Sequence, residues 1–266
     1  MAAGHPSRIF QRIFSRKARS SRKSNLRQRR RLSLPLDEYS AIYAVGDVHG
    51  CYEELLAAVN KIRIDAASYT KALVVFLGDY VDRGPRSREV IDYLANDGDD
   101  KIHQIALCGN HDAAFARLLD DPHCAEEWLR FAGQETLLSY GIDVRYIFEH
   151  GGVKALHAAL KQQVPTHHAE FLRQLPTMLE VGDLVFVHAG VRPGIPLQSQ
   201  SDQDLLWIRT PFLDEGPQLP VIVIHGHTPV GKPFFGNGRI GIDTAAFATG
   251  NLTVLKIAGK SAQILT

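Results

Sequence analysis

Three observations predict an α/β architecture built on parallel strands. Five short Val/Ile/Leu-rich runs each end in residues able to hold a metal ion: SAIYAVGDVHG (40–50), KALVVFLGDYVDRG (71–84), KIHQIALCGNHD (101–112), DLVFVHAG (183–190) and PVIVIHGHTP (220–229). Stretches of helical periodicity separate the first three runs. The intervals from Asp47 to Asp79 and from Asp79 to Asn110 are 32 and 31 residues, each the length of one strand–helix–strand unit. Crossovers of that length return successive strands parallel, so their carboxyl ends share one edge of the sheet, where open α/β folds bind ligands.

Taken in order, residues 1–36 are rich in Arg and Ser and too polar to fold alone. Within them IFQRIF (9–14) places Ile9, Phe10, Ile13 and Phe14 on one helical face among arginines. A solvated tail, a contact with anionic lipid or nucleic acid, and an organelle transit peptide all suit this composition. Residues 37–266 then read as a single domain. CYEELLAAVNKI (51–62) and SREVIDYLAND (87–97) carry apolar residues at helical spacing, and the second ends before Gly98. Residues 112–177 read as several helices, including AAFARLL, AEEWLRFA, GQETLLSYG, KALHAALKQQ and HAEFLRQL. Beyond 178 strands return in MLEVGDLVFVHAG, VIVIHGH, GRIGIDT and NLTVLKI, parted by Gly/Pro turns.

At 266 residues and 45% hydrophobic content the chain can bury the core of one large domain. The formal net charge of +1 conceals a split: residues 1–35 hold eleven of the 30 lysines and arginines and no acid. The remainder therefore carries 19 basic against 29 acidic residues, a net of −10. An acidic body argues against a general nucleic-acid binder and suits a protein that concentrates cations. Cys51, Cys108 and Cys124 are odd in number and widely spaced, which points to a reducing, cytoplasmic setting and away from a disulfide framework. No apolar run approaches the roughly 18–20 residues of a membrane span. The Gly-rich phosphate loop ending in Lys-Ser/Thr is absent, which removes support for ATP-driven chemistry.

The strand ends supply Asp47, His49, Asp79, Asp82, Asn110, His111, Asp112, His188, His225 and His227. Hard cations prefer oxygen ligands and imidazole suits Mn, Fe and Zn, so the mixture points to transition metals and away from calcium. Asp79, central in the order, is the natural bridge between two ions in a metal-dependent hydrolase. Asp47 and His49 alternate on one strand end and would face the first ion; Asn110 and His188 would serve the second. His225 and His227 share a face in an extended strand, so alternation cannot choose between them.

The set GDVHG, GDYVDRG, GNHD, HAG and GHTP, in this order and spacing, resembles the metallophosphoesterase (calcineurin-like) superfamily over about residues 40–257. Within it the chain looks most like the bacterial and phage serine/threonine phosphoprotein phosphatases. The resemblance implies two mixed β-sheets in a sandwich flanked by helices, the αββα arrangement. It also implies a dinuclear centre of Mn, or of Fe and Zn, and hydrolysis of phosphate monoesters by a hydroxide bridging the ions. On its terms Asp47, His49 and Asp79 hold one ion, and Asp79, Asn110, His188 and His227 hold the other. His111 protonates the leaving oxygen, Asp82 keeps His111 protonated, and Arg83 and Arg209 clamp the phosphate alongside Asn110. The family usually has Glu where this chain has Asp112, which predicts rearranged or weaker hydrogen bonds around that carboxylate.

The substrate this implies is a phosphorylated protein or a small phosphoester, with phosphoserine and phosphothreonine first. The symmetric diadenosine tetraphosphate hydrolases are also similar, although their first motif often has Gln where His49 stands. A non-catalytic binding protein would require decayed ligands, and none of the matched positions is decayed.

Overall fold

Strands β2 (Ala41–Val45) and β3 (Ala72–Phe76) are buried at every position, which is why AIYAV and ALVVF read as continuous apolar runs and not as alternating ones. Each has two faces to fill. Tyr43, Val45, Val74 and Phe76 pack with Leu55, Val59 and Ile62 of helix α1 (Tyr52–Ala66). Ile42, Ala44, Leu73 and Val75 face the other way, into a core shared with a second sheet through Leu179, Val181, Phe186, Ile224 and Ile240. The computed structural model describes residues 28–96, 102–129 and 133–266.

The first sheet runs β11-β10-β2-β3-β4, with β4 at Ile102–Ala106, β10 at Val254–Ala258 and β11 at Ser261–Ile264. Strands β2, β3 and β4 are parallel, as the 32- and 31-residue intervals require, while β10 pairs antiparallel with β2. The second sheet runs β1-β5-β6-β7-β9-β8, comprising β1 (Arg31–Leu34), β5 (Met178–Val181), β6 (Leu184–Val187), β7 (Ile222–His225), β8 (Phe234–Gly236) and β9 (Arg239–Gly241). Its inner face completes the inter-sheet core. Its outer face, through Val185, Val187 and Val223, is covered by Leu205, Ile208 and Phe212. This is the two-sheet α/β sandwich flanked by helices. Helix α2 (Ser87–Ala95) follows β3, and α3 (Asn110–Asp120) starts at Asn110 itself, so Asn110 and His111 occupy the first turn of a helix.

One boundary needs correction. Residues 31–34, assigned by composition to a tail spanning 1–36, form β1 and pair parallel with β5 from Arg31↔Met178 to Leu34↔Val181. Two basic residues of that segment are structural anchors: the Arg29 guanidinium donates to the carbonyls of Leu172 and Leu175, and that of Arg31 to those of Leu197 and Gln198. Composition counted their charges but could not see the carbonyls awaiting them. The IFQRIF face and the proposed lipid or nucleic-acid contact lie outside the described residues. Among the described residues no helix is long and apolar enough to cross a membrane, and the three cysteines are buried and form no disulfide.

A chain beginning at Asp37 should unfold below one beginning at Gln28. Loss of the β1 ladder and the arginine hydrogen bonds should cost about 3 kcal/mol, or roughly 6–12 °C in Tm. Equal melting temperatures by calorimetry would show that β1 contributes nothing to stability.

Candidate metal centre

The turns that follow β2 and β3 are stitched together by backbone: Val48 and His49 N–H both donate to the Asp79 carbonyl, Gly50 N–H to that of Tyr80, and Gly84 N–H to that of His49. The stitching holds side chains in a conformation that L-residues avoid. Among the described residues eight non-glycines have positive φ, and five of them belong here: His49 (44°), Asp79 (54°), Asp82 (72°), Arg83 (68°) and His227 (65°). Each costs on the order of 1–2 kcal/mol and persists only where the surroundings over-determine it, as functional sites do. Two glycines make the close approaches possible. A Cβ on Gly109 would lie 2.1 Å from Asp79 Oδ1, and one on Gly226 would lie 1.9 Å from Asp47 Oδ1.

Asp79 is the hub. Its Oδ2 lies 3.4 Å from Nε2 of His49, 3.4 Å from Nε2 of His188 and 4.0 Å from Nε2 of His111. The donor atoms of His49, Asp79 and His111 all fall within 4.8 Å of one another, and so do those of Asp79, His188 and His227. Asp79 is common to both sets. The imidazoles are aimed by their outer nitrogens: His49 Nδ1–H donates to the Val81 carbonyl (2.8 Å) and His188 Nδ1–H to that of Leu77 (3.0 Å). Each Nε2 lone pair then points inward. His188 Nε2 lies 2.8 Å from Asn110 Oδ1, so two acceptors face each other, and His227 Nε2 is buried with no hydrogen-bond partner. Acceptors converging without donors call for a cation between them.

The electrostatics agree. Burial, the largest cause, lowers His49 and His188 to about 4 and His227 to about 3, leaving neutral imidazoles of the kind metals bind. Burial also pushes Asp79 upward, but in the acidic range where His188, His111 and His49 are charged their attraction outweighs it and holds the carboxyl below its ordinary range. Asp47 and Asp243 are both raised, by burial first and by neighbouring carboxylates after it. Buried carboxylates that repel one another beside neutral imidazoles are a donor set lacking positive charge, and they fit a dinuclear metal site. Asp47 lies beside the two tight sets; both its oxygens accept the His227 backbone N–H, at 3.2 and 3.1 Å.

Around the hub, His111 Nδ1–H donates to Asp82 Oδ2 (2.7 Å), and the Thr136 hydroxyl donates to Asp82 Oδ1 (2.7 Å). Burial opposes protonation of His111, but Asp79 and Asp82 together raise its pKa. Arg83 is half-buried and Arg209 exposed; Arg83 acts on the charges of Asp47 and Asp243, and Arg209 on those of His227 and Asp243, so both lie close to the centre. Asp112, which stands where the family usually has Glu, is not weakly bonded. Its carboxylate accepts the backbone N–H groups of Gly109, Asp79 and Tyr80, each at 2.8 Å, so the shorter side chain is fully bonded from the first turn of α3. Burial, then Asp79, pushes it up to about 7 against those three donors.

His225, indistinguishable from His227 by alternation, has a different place. The Arg239 guanidinium donates to His225 Nε2 (3.2 Å), and His225 Nδ1–H donates to the Gly226 carbonyl (3.1 Å). It braces the turn that carries His227. Asp243, Thr136, Arg239 and Phe247 are site residues that motif reading did not assign. Arg239 and Asp243 both lie in the strand run GRIGIDT, which was read only as a strand, whereas Thr136 and Phe247 are brought in by packing. His167 and His168 meet Asp92 within 4.8 Å. There His168 is already bonded on both nitrogens, to Tyr140 Oη (2.8 Å) and Asp92 (2.7 Å), as a tie between helices.

Two mixed sheets with His, Asp and Asn donors gathered at a shared edge define a metal-dependent phosphoesterase. The chain belongs to the calcineurin-like phosphoesterase family, which matches residues 40–240. It is 25% identical over 237 residues to the asymmetrical bis(5'-nucleosyl)-tetraphosphatase PrpE of Bacillus velezensis, covering 79% of this chain and 86% of the relative. It is 31% identical over 175 residues to a symmetrical bis(5'-nucleosyl)-tetraphosphatase of Coxiella burnetii, covering 65% of this chain and 48% of that protein. In fold it is similar to the cold-active protein-tyrosine phosphatase of a Shewanella species, with a TM-score of 0.60 and 17% identity over 95% of this chain and 87% of that one.

His225→Phe keeps the volume and removes the brace on the His227 turn. Affinity for Mn²⁺, measured by calorimetric titration, should fall about tenfold. An unchanged affinity would show that the Arg239–His225 contact does not reach the metal ligands.

Proposed function

We propose that this chain hydrolyses dinucleoside polyphosphates of the diadenosine tetraphosphate type with two divalent metal ions, manganese being the first to test. The observation that carries the substrate is the match to PrpE along most of both chains. Phosphoserine and phosphothreonine become the second reading, favoured by the motif set and by His49. The argument from glutamine at that position concerned the symmetric hydrolases, so it does not weigh against asymmetric cleavage.

Asp47, His49 and Asp79 would hold one ion, and Asp79, Asn110, His188 and His227 the other. When bound, such ions lower the pKa of water toward neutrality and offset charge on phosphate oxygens. The protein's own groups do the rest. Arg83 and Arg209 add positive charge where the equatorial oxygens gather it. His111, kept protonated by Asp79 and Asp82, stands ready to give its Nε2 proton to the departing oxygen. Thr136 holds Asp82, and through it the imidazole ring, in place.

The two readings differ in how far they need that proton. A serine alkoxide is a poor leaving group and must be protonated as it departs. A nucleotide phosphate leaves readily as an anion. His111→Asn should therefore lower kcat on phosphoserine peptides by roughly 10²–10⁴-fold, and on diadenosine tetraphosphate by much less. Equal losses on both substrates would remove His111 as the proton donor. Asp79→Asn should lose stoichiometric binding of both ions by metal analysis, and a fully loaded variant would overturn the shared-ligand role. The substrate assignment is tested by kcat/KM of the Mn²⁺-loaded protein for diadenosine tetraphosphate against a phosphoserine peptide. A clear preference for the peptide would overturn it.

A further inference from the structure

Phe247 lies in a short helical turn, Ala246–Thr249, between Ala245 in the left-handed region (φ 53°) and Gly250 (φ 67°). The turn is rigidly held. Asp243 Oδ1 accepts the Ala245 N–H (2.8 Å), the Thr249 hydroxyl donates to the Thr244 carbonyl (2.9 Å), and the Thr244 hydroxyl donates to the Asn251 carbonyl (2.7 Å). This scaffold carries a large apolar ring that remains 40% exposed. The ring meets His49 nearly at right angles, with centroids 5.6 Å apart, and the Arg83 guanidinium carbon sits 4.7 Å from its centre. On the opposite flank Trp207 lies 6.2 Å from the His227 ring, but it is half-buried and packed against the helical core. Phe247 is the ring at the centre with surface to give.

We propose that Phe247, with Arg83 laid against it, is the platform on which the base of a nucleotide stacks while its phosphate enters the metal centre. A nucleobase is an aromatic group tethered by one sugar to a phosphate, so its ring falls beside a phosphate held by Arg83. Fixing the Phe247 turn in advance removes most of the ordering cost of that contact. The proposal deepens the dinucleoside reading and depends on it for substrate class, but the geometry stands without it.

The test is calorimetric titration of Mn²⁺-loaded protein with AMP and with ribose 5-phosphate, which has the same sugar phosphate and lacks the base. Wild type should bind AMP about tenfold more tightly, the size of one base–aromatic stack. Phe247→Ala and Phe247→Leu should bring the ratio of the two Kd values close to one, and Phe247→Trp should restore it. Displacement of Arg83 in these variants would weaken both ligands together and cancel in the ratio. A wild-type ratio near one, or a ratio unmoved by Phe247→Ala and Phe247→Leu, overturns the platform. Failure to cleave diadenosine tetraphosphate would count against the proposed function alone, because the Kd ratio does not depend on cleavage of that substrate.

Discussion

The buried Asp79 carboxylate, shared between two sets of inward-facing imidazole lone pairs, is the constraint to which the rest of the fold answers. Removing a carboxylate from water is costly unless charge and hydrogen bonds replace the solvent. Here the replacement is only partial within the polypeptide: the His111 backbone N–H donates to Asp79 Oδ1 at 3.0 Å, and the facing nitrogens of His49 and His188 lack protons to offer. With Asp47 raised by burial, Asp243 and Asp79, and Asp243 raised by burial and Asp79, the junction holds more negative charge than the protein balances. A pair of divalent ions is the partner this arrangement suits.

Strain at the junction is the counterpart of that charge. Five residues of the site adopt positive φ, all of them in the turns that follow β2, β3 and β7. The turns resist relaxation because they bond to one another. The His49 turn leans on the carbonyls of Asp79 and Tyr80, Asp112 ties the Asp79 turn to α3, and Asp47 receives the His227 N–H. Apolar layers on both faces of β2 and β3 supply the rigidity that makes this over-determination possible.

A shared fold leaves substrate open. The same architecture, by likeness of backbone, is found in a protein-tyrosine phosphatase, while the sequence relatives are named for dinucleoside tetraphosphates. Metal ligands and the proton donor serve any phosphoester, so discrimination must come from groups around the mouth. In this chain the groups proposed for that role are Arg83, Arg209 and Phe247, and the last two lie outside the motifs that identify the family.

The buried His/Asp cluster and the parallel β2–β4 core were legible in the sequence because their causes are local. A strand buried on both faces must be apolar throughout, a crossover has a characteristic length, and a ligand at a strand end stands in a short turn beside it. Asp47, His49, Asp79, Asn110, His111 and His188 could be named on those grounds. Residues acting across the chain could not. Thr136 reaches Asp82 over 54 positions and Arg239 reaches His225 over 14, with no periodicity linking either pair. β1 was hidden by its own composition, since Arg29 and Arg31 read as tail charges until the carbonyls they cap were in place. The order of residues therefore determined which chemistry the chain can gather. Only tertiary packing decided which nitrogen of each histidine faces inward, what His225 bonds to, and which aromatic ring beside the centre keeps exposed surface, because those outcomes depend on neighbours that sequence distance does not encode.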